Sequence, residues 1–418
     1  MKKVFFFLSL LLAGIPAHTQ KREVPYVVLV SIDGFRYDYV DQFNPPYLKS
    51  FISKGSKAEA LIPSFPSKTF PNHYTIVTGL NPGNHGLVDN TFYDRQRDVI
   101  YKMDKKELVT DPYFYGGVPL WELAKRNNVK SASFFWPGSE MTEEVRRPDY
   151  FIPFDDDFDN DLRVDGVINW LKLPEAERPH FITLYFSIVD HAGHDFGPAA
   201  EETKQAVLKV DSLLSRLMKG IESTRLPVNV ILVSDHGMYE LTKKESTYIF
   251  LDELINKKST AVKLANGGTQ THLYFKNVKA RDSVYAVLKK QEGNFTVLKK
   301  EEFPTHWNYQ HDRVGDIILE AKPGYYIREG SRERFMKSLK VGEKFGVHGY
   351  DPLLTKDVNG IFIARGPNIE PGITVPPFQN IHIYPLIAKI LELPIPKIDG
   401  SKDVLMKVYR RKLKSTGN

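Results

Sequence analysis

Three short apolar runs in this chain each lead into a carboxylate, and that recurrence constrains the fold more than any other feature. Tyr26-Val-Val-Leu-Val-Ser-Ile leads into Asp33-Gly34, the run from Phe181 to Val189 into Asp190-His-Ala-Gly-His194, and Val228-Asn-Val-Ile-Leu-Val-Ser into Asp235-His236-Gly237. Short continuous apolar runs closed by Gly and Asp read as strands buried on both faces, the pattern of a parallel sheet. In open α/β sheets the chemistry gathers at the carboxyl ends of such strands. Asp33, Asp190, His194, Asp235 and His236 are therefore expected at one edge of one sheet. His348, in Gly346-Val-His-Gly-Tyr-Asp351, is an isolated fourth cluster. Carboxylate and imidazole together are ligands that suit zinc.

The rest of the chain organises around those runs. From Pro198 onward Val207, Val210, Leu214, Leu217, Met218 and Ile221 mark one apolar helical face, with Glu201 and Glu202 near its start. This helix joins the Asp190 strand to the Asp235 strand as a β-α-β crossover. Gly360 to Ala364 reads as a further buried strand, and Tyr384 to Leu393 as a late helix stopped by Pro394. Between about residues 240 and 345 the signals become shorter and more polar, as in Thr271–Phe275 and Asp316–Glu320, which predicts an inserted subdomain packed on the main sheet.

At the N-terminus Lys2 and Lys3 precede an apolar run to Ile15, followed by the small residues around Ala17 and Thr19. That order predicts a cleavable signal peptide over residues 1–19, too short to anchor in a bilayer, and a mature domain over 20–418 in the periplasm or outside the cell. The chain has no cysteine, so disulfides, thiolate ligands and a Cys nucleophile are excluded and any metal must be held by oxygen and nitrogen. Lys2 and Lys3 take two charges from the formal +6 and leave +4, which is no nucleic-acid footprint. The basic tail from Lys407 to Lys414 reads as a solvated terminal segment. Asp155, Asp156, Asp157 and Asp159 lack the Gly and closing Glu of a calcium loop and read as a solvated acidic loop.

Ser64-Phe-Pro-Ser-Lys-Thr69-Phe-Pro-Asn-His is a Pro-rich turn leading into a helix, with Pro71 in its first turn. Thr69 is then at or near the N-cap, where free backbone N–H groups favour an anion. On this segment alone, a plain Thr cap is the simpler reading.

Taken together the motifs are more specific. Ser31-Ile-Asp33-Gly-Phe-Arg36, Pro66-Ser-Lys-Thr69-Phe-Pro-Asn-His73, Asn90, Trp136-Pro-Gly138, Asp190-x-x-Gly-His194-x-x-Gly197-Pro, Ser234-Asp-His-Gly-Met238, Gly346-Val-His-Gly-Tyr350 and Gly360-Ile-Phe-Ile-Ala-Arg-Gly-Pro367 occur in this order. The mature chain resembles the nucleotide pyrophosphatase/phosphodiesterase family of the alkaline phosphatase superfamily, as an exported bacterial member. The resemblance implies a three-layer alkaline-phosphatase-like α/β fold, with a mostly parallel central sheet, helices on both faces and the inserted subdomain. It also implies two zinc ions. One is held by Asp190, His194 and His348, the other by Asp33, Asp235 and His236 with the oxygen of Thr69. Thr69 is the implied nucleophile, passing through a covalent phosphoryl-threonine. Asn90 and the backbone N–H of Phe70 are the implied donors to phosphoryl oxygen, and Phe154 and Tyr185 the aromatic pair for a nucleobase. The chemistry is coherent, because a Thr hydroxyl is a weak nucleophile near neutral pH and needs a metal to activate it.

The expected substrate is thus a small nucleotide diester or pyrophosphate, with no specific nucleic-acid binding and no membrane span. A phosphate monoesterase and a lipid phosphodiesterase stay open as alternatives on the same scaffold, since fold does not fix substrate. A sulfatase needs a Cys or Ser for conversion to formylglycine, and Thr69 cannot serve. A non-catalytic binding protein would have lost a ligand or the nucleophile, and every position is filled. His73, His85, His191, His272, His311 and His382 match no role and read as structural or supporting.

Overall fold

The computed structural model describes residues 24–255 and 262–411. The predicted signal peptide over 1–19 and the last basic residues of the tail lie outside that range. Among the described residues no helix is long and apolar enough to cross a membrane.

An eight-stranded sheet forms the centre. In chain order its strands are β1 (Tyr26–Ile32), β2 (Ser56–Ala58), β3 (Ser131–Phe134), β4 (Tyr150–Ile152), β5 (Phe181–Phe186), β6 (Val228–Val233), β7 (Phe362–Arg365) and β8 (Thr374–Val375). Their spatial order is β8-β2-β7-β6-β1-β5-β3-β4. From β4 to β6 every pairing is parallel; β7 runs antiparallel to both β6 and β2, and β8 is parallel to β2. A mostly parallel sheet with one reversed strand results, as the apolar runs require.

Both faces of the sheet are covered, because its central strands are apolar at every position rather than at alternate ones. Val27, Leu29, Ile231 and Phe362 point to one face and pack with the helix α1 (Thr69–Thr78) and with Ile383–Ile390. Val28, Val30, Leu232 and Ile363 point to the other and pack with the helix Glu201–Thr224. Successive strand residues alternate between the two cores, each side chain 0–2% exposed. The long helix connects β5 to β6 across β1, which lies between them.

Two expectations need correction. The segment carrying Asp190 is not strand to its end. β5 stops at Phe186, and a helix α2 (Ile188–Phe196) takes over. Asp190 and His194 therefore share a helix face one turn apart, and helical rotation turns His191 away from them. The tail is not merely solvated either. Leu405 and Val408 are buried, and Glu370 and Arg410 tie the segment back by backbone hydrogen bonds to Val408 and Asn368.

Past β6 a ribbon of Tyr239–Thr242 and Lys344–Val347 carries the chain out and back, in antiparallel register. Between those strands lies an antiparallel four-stranded sheet with its own core around Leu273, Val297, Ile317 and Leu319. The returning ribbon strand ends one residue before His348.

Candidate metal centre

Four backbone segments converge at the carboxyl edge of the sheet. Asp33 follows β1 directly and Asp235 lies two residues past β6. Gly34 sits at φ +67, and a Cβ there would come within 2.8 Å of the Asp190 Cα, so only glycine lets β1 turn this close to α2. A side chain at Gly346 would run into the Gly193 carbonyl, so the returning ribbon also lies tight on α2. That contact brings His348 beside His194, with 3.1 Å between their Nε2 atoms.

The cluster is compact and, apart from the part-exposed His194, buried. Asp190 Oδ1 lies 3.5 Å from His194 Nε2 and 4.0 Å from His348 Nε2. His236 Nε2 lies 3.4 Å from Asp33 Oδ1 and 3.0 Å from Asp235 Oδ2. The rings of His236 and His348 stack with centroids 3.5 Å apart, so the two expected ligand sets adjoin. Asp33, Asp235 and His236 can converge on one ion, and Asp190, His236 and His348 can also converge. His236 is thus within reach of both groups, which the expected division of ligands did not anticipate.

Hydrogen bonding sets the histidines for metal. His194 Nδ1 donates to the Gly346 carbonyl, His236 Nδ1 to the Gly237 carbonyl and His348 Nδ1 to the Ser67 carbonyl, at 2.8–2.9 Å. With Nδ1 engaged by a backbone carbonyl, each ring turns Nε2 toward the cluster, the support pattern of metal-ligating imidazoles. Burial, with His236 and His194 nearby, pushes His348 well below the ordinary range and keeps it neutral. The carboxylates complete the fit. Asp33 Oδ1, Asp190 Oδ1 and Asp235 Oδ2 are buried with no hydrogen-bond donor. Burial and mutual repulsion drive Asp33 and Asp235 well above the usual carboxylate range. Buried acceptors without donors, facing imidazoles whose Nδ1 is already engaged, are what a cation neutralises.

Thr69 is the first residue of α1, with Lys68 rather than Thr69 in the cap position. Its Oγ1 lies 3.3 Å from His236 Nε2. The turn before it is pinned by Asn72, whose amide bonds the backbone of Ser64, Pro66 and Lys68. Asn90 Oδ1 accepts from the Phe70 N–H at 2.9 Å. That N–H, expected to face a phosphoryl oxygen, is occupied by Asn90, and the Asn90 NH2 remains as donor.

A cavity of about 330 Å³ opens from Thr69, Asp33 and Asp190 toward Phe70, Trp136 and Phe154. The expected aromatic pair is present there but does not form a parallel slot. Phe154 and Tyr185 meet at 6.2 Å with their planes 64° apart. The cause is polar: the Tyr185 hydroxyl donates to Asp33 Oδ2 at 2.7 Å, and its ring rests against the edge of His73. Phe154 is 55% exposed and faces the opening, where Phe70 is half-buried.

His73 supports the site from behind. It is buried, bonds the Ser31 hydroxyl and the Thr69 carbonyl, and sits 3.4 Å from Asp235, while burial pulls it down to about 3. His85 bonds Thr75, and His272 lies 3.3 Å from buried Asp89. In the acidic loop Asp159 caps the helix Asn160–Leu171, and Asp156 accepts from Ser187. Asn72, Tyr185 as an Asp33 donor, and Lys68 were missed as supporting residues; their positions inside or beside the motifs were the available signal.

Comparison with known proteins fits this geometry. Residues 27–351 match the family described as type I phosphodiesterase/nucleotide pyrophosphatase. The chain is 34% identical over 92% of its length, and 81% of the relative's, to an uncharacterised pyrophosphatase/phosphodiesterase of Schizosaccharomyces pombe. It is 32% identical to human ectonucleotide pyrophosphatase/phosphodiesterase family member 1, over 92% of this chain but only 42% of that protein. Murine ectonucleotide pyrophosphatase/phosphodiesterase 5, solved as an inactive threonine-to-alanine variant in complex with AMP, superposes with a TM-score of 0.84 at 29% identity. The match covers 92% of this chain and all of that one.

Proposed function

The chain belongs to the type I phosphodiesterase/nucleotide pyrophosphatase family, hydrolases of phosphodiester and pyrophosphate bonds, and on that premise we propose a two-zinc enzyme that releases nucleoside monophosphates from nucleotide diesters or pyrophosphates. The observation that carries the reading is the set of three buried carboxylate oxygens without donors, facing three imidazoles that all present Nε2, with the Thr69 hydroxyl beside them. Asp190, His194 and His348 would hold one ion; Asp33, Asp235, His236 and Thr69 would hold the other.

Zinc bound there supplies positive charge against the phosphoryl oxygens and activates an alcohol as nucleophile. Thr69 Oγ forms the bond to phosphorus as the bond to the leaving group breaks, giving phosphoryl-threonine; water then hydrolyses that ester. The Asn90 NH2 donates to a phosphoryl oxygen, and its Oδ1, held by the Phe70 N–H, fixes the amide's direction. His73 braces the Thr69 carbonyl and the Ser31 hydroxyl, which keeps the start of α1 in place. The nucleoside occupies the cavity at Phe70 and Phe154, where ring contact contributes about 1–3 kcal/mol per stacked base. The N-terminal charge and apolar order supports an exported protein.

The test is a substrate panel on protein stripped of metal and reloaded with zinc. A nucleotide p-nitrophenyl diester should be cleaved far faster than p-nitrophenyl phosphate. Equal or faster cleavage of the monoester would sink the diesterase reading.

A further inference from the structure

Asn90 is held from behind by the residue before it. Its backbone N–H donates to Asp89 Oδ1 at 2.6 Å, and its carbonyl accepts from the Met103 N–H at 3.1 Å. The second Asp89 oxygen faces His272 Nε2 at 3.3 Å, with both side chains wholly buried. Neither Asp89 Oδ2 nor His272 Nε2 has any other partner among the described residues. The ring is set for that contact. His272 Nδ1 accepts from the Gly315 N–H at 3.1 Å, and a ring that accepts at one nitrogen carries its proton on the other, so Nε2–H points at the carboxylate. A buried carboxylate requires donors of this kind.

The imidazole comes from the inserted subdomain, on the strand Gln270–Tyr274. The same stretch braces the other arms of the site. The Gly267 carbonyl accepts from Lys68 Nζ at 2.7 Å, beside Thr69. The Thr269 hydroxyl lies 3.1 Å from the His348 carbonyl, and the Gln270 amide donates to the Gly349 carbonyl at 2.6 Å. Residues 267–272 thus touch the segments that carry Thr69, Asn90 and His348. Resting on the proposed hydrolase reading, we propose that His272, acting through Asp89, is a positioning residue for Asn90, so that the inserted subdomain takes part in phosphoryl recognition. Asn90 spends its Oδ1 on the Phe70 N–H and has only its NH2 for the phosphoryl oxygen, so a small shift of its backbone misdirects that donor. Misplacement of this kind costs rate before it costs fold.

The test uses the isosteric Asp89→Asn, which keeps the shape but sets an amide N–H against the Asn90 N–H or against His272 Nε2–H. In zinc-loaded protein kcat on a nucleotide p-nitrophenyl diester should fall by about tenfold or more, with KM and bound zinc within about twofold of wild type. His272→Leu should show the same loss, and His272→Gln, which returns an N–H donor toward Asp89, should recover part of it; either position carries the test if a variant at the other fails to fold. Two readouts separate positioning from a loosened fold. Adding Asp89→Asn to Asn90→Ala should change kcat by less than about twofold, because the residue being positioned is gone. With the two diastereomers of a nucleoside phosphorothioate diester, the rate ratio should move away from wild type in the same direction in Asp89→Asn as in Asn90→Ala, since both lose the donor at one phosphoryl oxygen. Additive losses in the double variant, an unmoved ratio, or a kcat for Asp89→Asn within about twofold of wild type overturn the proposal. If Asn90→Ala itself turns over like wild type, the phosphoryl role of Asn90 fails and this proposal falls with it; if zinc-loaded wild type cleaves no diester, the hydrolase reading is what fails.

Discussion

Replacing Tyr185 by Phe separates two jobs that one side chain could do. The ring stays, so contact with a nucleobase is kept; the hydroxyl that donates to Asp33 Oδ2 at 2.7 Å is lost. Asp33 is 1% exposed, its other oxygen has no donor, and burial with Asp235 and Asp190 close by already opposes its ionised form. Without the Tyr185 hydroxyl the carboxylate is harder to keep ionised, and the ionised form is the ligand. A hydrogen bond to a charged acceptor is worth about 1.5–3 kcal/mol. At about 1.4 kcal/mol per factor of ten, that is roughly a 10- to 100-fold loss of affinity at the ion held by Asp33. The range agrees with the typical cost of about 10–100-fold for removing a partner of a metal ligand. The assay is competition for zinc against a calibrated chelator, with wild type and Tyr185→Phe side by side. Activity at limiting zinc should fall for nucleotide and small alkyl diesters alike, and recover as zinc is raised. Zinc affinity within about twofold of wild type would refute the reasoning and return Tyr185 to base contact alone.

Thr69→Ala removes the proposed nucleophile and leaves the aspartate and histidine ligands; the chemical step should fall by several orders of magnitude with zinc still bound, and near-normal turnover would reduce Thr69 to a helix residue. Asn90→Ala should lower kcat by about 10²–10³ if its amide meets charge that develops in the transition state, checked by steady-state kinetics on a nucleotide diester. Asp33 and Asp235 have raised native pKa values, so the stability they contribute to metal-free protein is present in acid and lost as pH rises through those values. Zinc reverses that loss by displacing the protons, so the Tm gap between zinc-loaded and chelated protein should widen as pH rises above the ordinary carboxylate range. A constant or narrowing gap would contradict buried, proton-holding carboxylates.

The sheet and its active edge were legible because strands buried on both faces leave continuous apolar runs, and because Asp33, Asp235 and His236 come immediately after two of them. Asp190 was located correctly but on the wrong element. Ile188 and Val189 extend the apolar run of β5, and nothing local separates a strand end from the first turn of a buried helix. The supporting contacts were beyond reach for a different reason. Tyr185 bonds Asp33 across 152 positions and His348 bonds Ser67 across 281, and such pairs leave no periodic trace. The edge-to-face meeting of Phe154 and Tyr185 follows from one of these contacts, so the shape of the base cavity could not be read without it. Val408 shows the limit of composition: the five basic residues between Lys407 and Lys414 made the tail look solvated, while the buried Leu405 and Val408 dock it.

The central claim is a covalent phosphoryl-threonine at Thr69, and stereochemistry at phosphorus tests it most directly. A P-chiral phosphorothioate diester of a nucleoside would be hydrolysed by zinc-loaded protein in heavy-oxygen water and the configuration of the product determined. Two in-line displacements, first by Thr69 and then by water, predict net retention. Net inversion would show a single direct attack by water and contradict the account.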